Sequence, residues 1–489
     1  MYRRIGVENH NPETPTLRYP DTQARRVVYA MDSAQTIDTI AAISTPPGPG
    51  GIGMVRISGP DALAIGQAVF TPLTSKPAQN PEPRKALVGH VHRPGLSSVS
   101  IDQAVWISFA APRSFTGEDT VEITTHGGPL IMREVLEAVT LAGARLAEPG
   151  EFTKRAFFNG RMDLSQAESV ASLIFASTEE ARQVMHRQVE GAMGREADRL
   201  RKDLLDIKVA LESAIDFPED IDDIEPQNLV QSVNSIIQSV EGLLETSREG
   251  IAMAEGLKVV IAGAPNVGKS SLLNAFLQEE RAIVHEVAGT TRDFIEGRIN
   301  VKGVPMVVVD TAGLRGEPGP LEDEGIVRTR NLMKQADLLL IVLDGSRPVS
   351  LDELELLQET ADSKRVIAVN KNDLPSRLDM KLFENIVKIS ARTGAGMRAL
   401  KGAIHDTYTG TEQVVTGADV VVTSLRQADA LKKIRQGCAR VRDGLLGSVA
   451  PELLAVDLEE ALLGVGELTG AVTVDEVLEE IFSRFCIGK

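Results

Sequence analysis

Gly263-Ala264-Pro265-Asn266-Val267-Gly268-Lys269-Ser270 follows the apolar run Leu257–Ala262 and leads into Ser271-Leu272-Leu273-Asn274-Ala275-Phe276. A strand, a glycine-bearing turn and a helix start are the context in which G-x-x-x-x-G-K-[ST] acts as a phosphate loop. The glycines let backbone N–H groups turn inward around phosphate oxygens. Lys269 adds a cation, the helix N-terminus adds partial positive charge, and Ser270 can hold Mg²⁺. The pattern alone also arises by chance, so the surrounding sequence has to corroborate it.

It does so on the C-terminal side. From Leu257 to about Tyr408, apolar runs at Met306–Asp310, Leu338–Asp344, Arg365–Asn370 and Ile386–Ser390 alternate with helical text. This predicts a mostly parallel sheet covered by helices on both faces. Asp310-Thr311-Ala312-Gly313 ends one strand: its carboxylate can reach Mg²⁺ and its glycine the γ-phosphate. Asn370-Lys371-Asn372-Asp373 ends another, and Asp373 can accept two N–H bonds from guanine, which adenine cannot offer. Ser390-Ala391 follows the last strand, where a backbone N–H can meet the guanine carbonyl. All four lie at carboxyl ends of strands, where open α/β sheets bind ligands. Their order resembles that of the translation-factor-related GTPases. The glutamine that orients water in Ras-like enzymes is replaced by Leu314. Asn266, the segment Gly289-Thr290-Thr291-Arg292-Asp293 and Glu322 are the nearby substitutes. Thr291 can reach Mg²⁺, and Glu322 can hold water, against the plainer reading of a solvated loop glutamate.

The flanks read differently. Residues 1–35 carry Pro12, Pro15 and Pro20 with little apolar periodicity, and are expected to be a disordered extension; Met31 is an alternative start. Residues 36–155 read as α+β, with strands at Ile40–Ile43, Gly53–Ile57, Ala104–Phe109 and Thr120–Ile123 and a helix over Leu130–Ala142. The period becomes 3.6 from Asp163, which can cap a helix with Gln166 as its capping-box partner. Val230, Val233, Ile237, Val240 and Leu244 form one stripe; Leu453, Leu454, Leu458, Leu462 and Val465 form another. Segments 156–254 and 420–489 are therefore expected to make one discontinuous all-α domain, with 255–419 inserted as a P-loop GTPase domain.

Length and charge fit this scheme. At 489 residues the chain holds about three domains. Its net charge of −17 argues against a non-specific nucleic-acid binder but leaves room for a local basic patch. Two cysteines point to a reducing compartment. Leu338–Leu343 is the longest strongly apolar run, too short to span a bilayer, and no signal-peptide pattern stands out. A cytoplasmic protein with no membrane association is expected.

Several segments, taken together, resemble the MnmE (TrmE) family of tRNA-modifying GTPases. They are DTIAAISTPPGPGGIGMVRISGP (38–60), GEDTVEITTHGGP (117–129), PGEFTKRAFFNGRMDLSQAE (149–168), GAPNVGKSSLLN (263–274), AGTTRD (288–293), DTAGLR (310–315) and FCIGK (485–489). The resemblance runs from about Asp38 to Lys489. It implies an N-terminal tetrahydrofolate-binding-like α+β domain, the discontinuous helical domain and the inserted GTPase. It implies a homodimer, a flavoprotein partner, MnmG, in a heterotetramer, and tRNA as substrate. The reaction implied is installation of an aminomethyl-type group (carboxymethylaminomethyl) at C5 of the wobble uridine, using 5-formyl- or methylene-tetrahydrofolate, with K⁺-dependent GTP hydrolysis.

Residue by residue, the resemblance implies K⁺ bound by Asn266 and Thr290 side chains and by His285 and Val287 backbone oxygens. Mg²⁺ falls to Ser270 and Thr291, and the ordering of water to Glu322. The nucleotide would touch Asn266, Val267, Gly268, Lys269, Ser270 and Ser271, then His285, Glu286, Val287, Ala288, Gly289, Thr290 and Thr291. It would also touch Asp310, Thr311, Ala312 and Gly313, and Asn370, Lys371, Asp373, Ser390, Ala391 and Arg392. Arg56, Glu122, Arg161 and Lys489 match the folate positions, and Cys486 lies near them in the family with its role open; without the resemblance, Arg56 and Glu122 would read as ordinary strand surface. Pro49 stands where a basic residue is frequent, and Arg161 where lysine is common. The alternative class is a regulatory GTPase of ribosome assembly, which an RNA-binding KH module would favour; no such module is visible. A stand-alone folate methyltransferase is weakened by the lack of a separate acid–base set.

Overall fold

The computed structural model describes residues 38–73, 82–216, 226–279, 296–310, 330–379, 383, 386–409, 419–483, 485, 487 and 488. The chain divides into two compact units, 1–161 with 482–489, and 162–481.

The first unit is built on a seven-stranded sheet: β1 Ile40–Ile43, β2 Gly50–Ser58, β3 Phe70–Pro72, β4 Leu87–His92, β5 Ser100–Phe109, β6 Thr120–Gly127 and β7 Arg145–Leu146. Its order is β3-β4-β5-β6-β2-β1-β7, antiparallel throughout except for β1 beside β7. Side chains alternate between faces. Val55, Ile57, Trp106, Val121 and Ile123 pack under the helices Ala62–Ala68 and Pro129–Leu141, while Arg56 and Glu122 point the other way. β2 starts inside the proline- and glycine-rich turn, earlier than the sequence pattern indicates, because a register shift between Gly50 and Gly53 lets the pairing with β6 continue. The short β3 and β7 and the histidine-bearing β4 escape sequence reading, since none shows a clean apolar run.

The chain's end packs into this unit. Phe482 lies 6.4 Å from the Phe157 ring and 5.5 Å from Phe485. Ser44 Oγ donates to the Gly488 carbonyl at 3.0 Å. Gly488 has φ +92°, and a Cβ there would sit 2.3 Å from the Ile43 carbonyl, so no other residue fits without moving the strand end. The helix Glu151–Phe158, Phe482, Phe485 and Gly488 thus pack within the first unit, through aromatic burial that helical periodicity does not reveal.

The second unit combines helices with the inserted sheet. Leu164–Phe175 opens with the expected capping box: Asp163 accepts from the Gln166 amide at 2.9 Å, and Gln166 accepts from the Asp163 amide at 3.0 Å. Ala192–Asp216, Pro226–Glu245, Leu425–Leu446 and Pro451–Thr469 bury Leu200, Leu204, Val233, Ile237, Val240, Ile434, Leu458 and Val465 together, so the segments before and after the insertion share a core. Leu453, expected on the inner stripe, is exposed; Leu454 and Leu458 set the buried face.

The sheet comprises β8 Leu257–Ala262, β9 Glu296–Val301, β10 Val304–Asp310, β11 Leu338–Asp344, β12 Arg365–Asn370 and β13 Ile386–Lys388. Its order, β13-β12-β11-β8-β10-β9, is parallel apart from the β9–β10 hairpin. Every residue of β11 is buried, as expected of a strand covered on both faces. The helix Glu179–Val189 contributes Ala181, Val184 and Met185 to the same core as β8 and β10. No helix among the described residues is long and apolar enough to cross a membrane.

Candidate nucleotide site

The phosphate loop leaves β8, turns, and enters the helix Lys269–Glu279. Gly263 (φ +154°) and Gly268 (φ +99°) occupy conformations that side chains disfavour, and a Cβ on Gly268 would fall 2.3 Å from Asn370 Nδ2. Asn266 sits in the left-handed region at φ +61°, which asparagine tolerates better than most residues. Val267 is fully buried and anchors the turn. Lys269 Nζ donates to the Gly263 and Ala264 carbonyls at 3.0 and 2.9 Å, which folds its charge back over the loop. Ser270 and Ser271 follow in the first helical turn, where backbone N–H groups face the loop.

Asn370, at the end of β12, ties three segments together. Its Nδ2 donates to the Val267 carbonyl at 2.8 Å, and its Oδ1 accepts from the Ala391 amide at 2.9 Å. The phosphate loop, the Asn370–Asp373 turn and the Ser390–Ala391 turn are therefore held by one buried amide. Ser390 Oγ donates to Asp373 Oδ1 at 2.7 Å and holds that carboxyl below the ordinary carboxylate range, with Arg392 and Lys371 adding positive charge. Asp373 itself is exposed, ready to accept from a ligand.

Lys371 adopts φ +61°, and its Nζ donates to Asp344 Oδ2 at 2.6 Å. Asp344 is buried at the end of β11 and opposite Asn370 in the register. Burial alone would raise its pKa, but the bonds from Lys371 and Ser346 outweigh it and the net direction is downward. Sequence reading missed Asp344. The signal was there: a carboxylate closing an otherwise wholly apolar strand.

Asp310 is the last residue of β10, opposite Ile261 of β8, which puts its backbone beside the phosphate loop's entry. His285, Glu286, Val287, Ala288, Gly289, Thr290, Thr291, Thr311, Ala312, Gly313, Leu314 and Glu322 lie outside the described residues, as do Cys486 and Lys489.

In the first unit, Arg56 and Glu122 are cross-strand neighbours on β2 and β6. Arg56 Nε and Nη2 both donate to Glu122 Oε1, at 3.0 and 2.9 Å. The guanidinium lies 5.4 Å from the centre of the Phe115 ring and 5.8 Å from that of Phe152. Neither phenylalanine was anticipated; each comes from a loop or helix whose sequence gives no hint of this face. Arg161 follows the helix Glu151–Phe158, and its methylenes lie against Gly117, in the segment leading to β6.

Comparison with known proteins covers nearly the whole chain. Residues 39–161 match the model described as the GTP-binding protein TrmE N-terminus, and residues 164–486 the MnmE helical domain. The tRNA modification GTPase MnmE of Lactiplantibacillus plantarum is 39% identical over 467 residues, covering 94% of this chain and 100% of its own. That of Roseiflexus castenholzii is 42% identical over 470 residues, covering 92% and 99%. Among solved structures, the G domain of the T. maritima FeoB iron transporter is 30% identical over 31% of this chain and 98% of its own, with a TM-score of 0.24.

Proposed function

This chain belongs to the MnmE (TrmE) family, and from that premise we propose that it hydrolyses GTP to drive modification of tRNA at the wobble uridine. The observation that carries the nucleotide half of this reading is the Asn370 amide, which joins the phosphate loop to the two turns that would grip guanine. Asp373 would accept from the guanine N1–H and exocyclic amine, and the Ala391 turn would meet its carbonyl.

Mg²⁺, when bound, neutralises charge developing on the phosphates. Ser270, at the helix start, is a fitting ligand, and Thr291 would be the second. Asn266, with its carboxamide on an exposed left-handed turn of the loop, fits a K⁺ ligand beside the phosphates; Thr290 and the backbone of His285 and Val287 would complete that set. Glu322 would order the attacking water, since Leu314 cannot.

The Arg56–Glu122 face of the first sheet, partly covered by a small cluster around Phe152, is our candidate for a tetrahydrofolate derivative. Arg56 lands both its bonds on one Glu122 oxygen, which leaves Oε2 as an acceptor for a pterin N–H edge. Phe115, partly exposed, supplies flat apolar surface beside it, buried Phe152 backs the guanidinium, and Arg161 and Lys489 would pair the glutamate tail. Cys486 lies close to Lys489 in sequence. The finer assignments are a carboxymethylaminomethyl-type product at uridine C5, the flavoprotein MnmG as partner in a heterotetramer, a homodimer, and a cytoplasmic setting.

Mass analysis of wobble uridines in tRNA tests the reading. Cells lacking this protein should lose the C5 modification, and complementation should restore it only with Lys269 intact. Normal uridines in the deleted strain, with altered ribosomal subunit profiles, would overturn it in favour of ribosome assembly.

A further inference from the structure

The base-binding turn contains a lysine whose side chain is already fixed, and the group that fixes it lies on a different strand. The backbone of Lys371 is held on both sides: Asn370 by its two amide bonds, Asn372 by donation to the Ile389 carbonyl at 3.0 Å, and the Lys371 carbonyl by the Leu374 amide at 2.9 Å. That leaves the long side chain as the remaining freedom. Asp344 removes it. Its two oxygens are divided: Oδ1 accepts from the Ser346 amide at 2.9 Å and the Ser346 hydroxyl at 2.6 Å, while Oδ2 accepts from Lys371 Nζ at 2.6 Å. Asp344 is 6% exposed, so its orientation is set by packing as well as by Ser346.

We propose that Asp344 is a positioning residue for guanine nucleotides: by holding the Lys371 ammonium, it stretches the methylene stem into an apolar surface for the face of the purine ring. Lysine stems readily play this part, covering apolar surface while the head keeps a polar partner. An unheld lysine has several rotamers to lose on binding, and preordering it lowers that cost. The ammonium is also neutralised, so the stem and not the charge faces the base. This inference rests on the reading of Asn370–Asp373 as the guanine turn.

The test is a double-mutant cycle read by GDP dissociation. Asp344→Asn keeps the size and an acceptor for Ser346 but loses the charge that holds Lys371. In the full-length chain it should weaken GDP binding by about threefold to tenfold, the order expected for ordering one rotamer-rich side chain on binding, through faster release. In turnover the change should fall on KM and not on kcat. In a Lys371→Ala background the same substitution should have little further effect, because its target is gone. A loss of equal size in that background would make Asp344 a structural residue and overturn the proposal. So would unchanged GDP binding in Asp344→Asn while Lys371→Ala weakens it. If Lys371→Ala leaves GDP binding intact, and Asp373→Asn leaves GTP preferred over xanthosine triphosphate, the guanine-turn reading falls as well. Asp344→Glu should recover part of the affinity where Asp344→Ala does not.

Discussion

The two sheets of this chain place chemistry in different ways. In the inserted sheet, β11 is buried along its whole length and nothing polar interrupts it until Asp344. In the first sheet, β6 alternates, and Glu122 sits in mid-strand between buried Val121 and Ile123. A parallel sheet closed on both faces has no room for a ligand along its strands, so its functional groups collect where the strands end. The antiparallel sheet keeps its main core on one face and only a smaller cluster around Ile40, Ala42, Ala147 and Phe152 on the other, so polar groups such as Arg56 and Glu122 can sit in mid-strand there.

That contrast predicts unequal responses to truncation. Leu340→Ala, in the middle of β11, should cost about 3 kcal/mol, because it leaves a cavity in the larger core on one face of the sheet. Val88→Ala on β4, whose residue is 48% exposed, should cost less than about 0.5 kcal/mol. Chemical denaturation of the two variants measures the difference. Equal losses would mean that the first sheet's outer face is as enclosed as the second's.

Next in size is Gly268→Ala. The added Cβ would press on Asn370 Nδ2 and displace the amide that joins the phosphate loop to the base turns. A shift of about 1 Å there can cost about a hundredfold in binding or turnover. GTP affinity should fall by that order while the melting temperature changes little, and near-normal affinity would show that the loop and the base turns are not coupled through Asn370.

These two cases show why the inserted domain was the more legible half. Its strands are unbroken apolar runs, and its functional residues follow them at fixed offsets, so Lys269, Asn370, Asp373 and Ser390 could be placed before any coordinates. Asp344 escaped because a single carboxylate after a strand has no motif of its own. In the first unit β1, β5, β6 and the helix Pro129–Leu141 were visible, but β3, β4 and β7 were too short or too polar to stand out. Arg56 and Glu122 were picked out only by resemblance; alternation says that they share a face, not that they touch. The packing of Phe482 and Phe485 against the first unit's aromatic residues is a long-range fact that no local pattern encodes.

The Arg56–Glu122 face gives a smaller test. Glu122→Gln removes the charge from a pair whose members are each only about one-sixth exposed, and should cost about 1–2 kcal/mol. If that face binds a reduced folate, the same change should also lower folate affinity measured by equilibrium dialysis, and Arg56→Lys should keep stability better than binding, since lysine cannot reproduce the forked contact or lie flat between two rings. Folate binding unaffected by either change would leave the pair as a strand-to-strand clasp alone, and the contrast between the sheets would then concern packing and not ligands.

The smallest effect belongs to Asp373. Its folded-state pKa is depressed, first by the Ser390 hydroxyl, then by its own backbone N–H, and less by the positive charge of Arg392 and Lys371. A depressed carboxylate contributes fully above its ordinary pKa of 3.8 and loses that contribution only as pH falls through the lower folded value. Guanine recognition needs the ionised form, which accepts both base N–H groups. GDP binding should therefore hold from neutral pH down to the ordinary carboxylate range and fail only below it, provided the fold survives. Ser390→Ala removes the leading cause of the depression, so the acid edge should move to higher pH, while affinity near neutrality changes little because Asp373 is ionised there in both proteins. GDP dissociation followed across pH in the two proteins, with circular dichroism to confirm folding at each point, measures this directly. An edge that stays in place in Ser390→Ala would mean that the Asp373 backbone N–H, with Arg392 and Lys371, holds the carboxyl down without the hydroxyl, and that Ser390 serves the turn's shape rather than its charge.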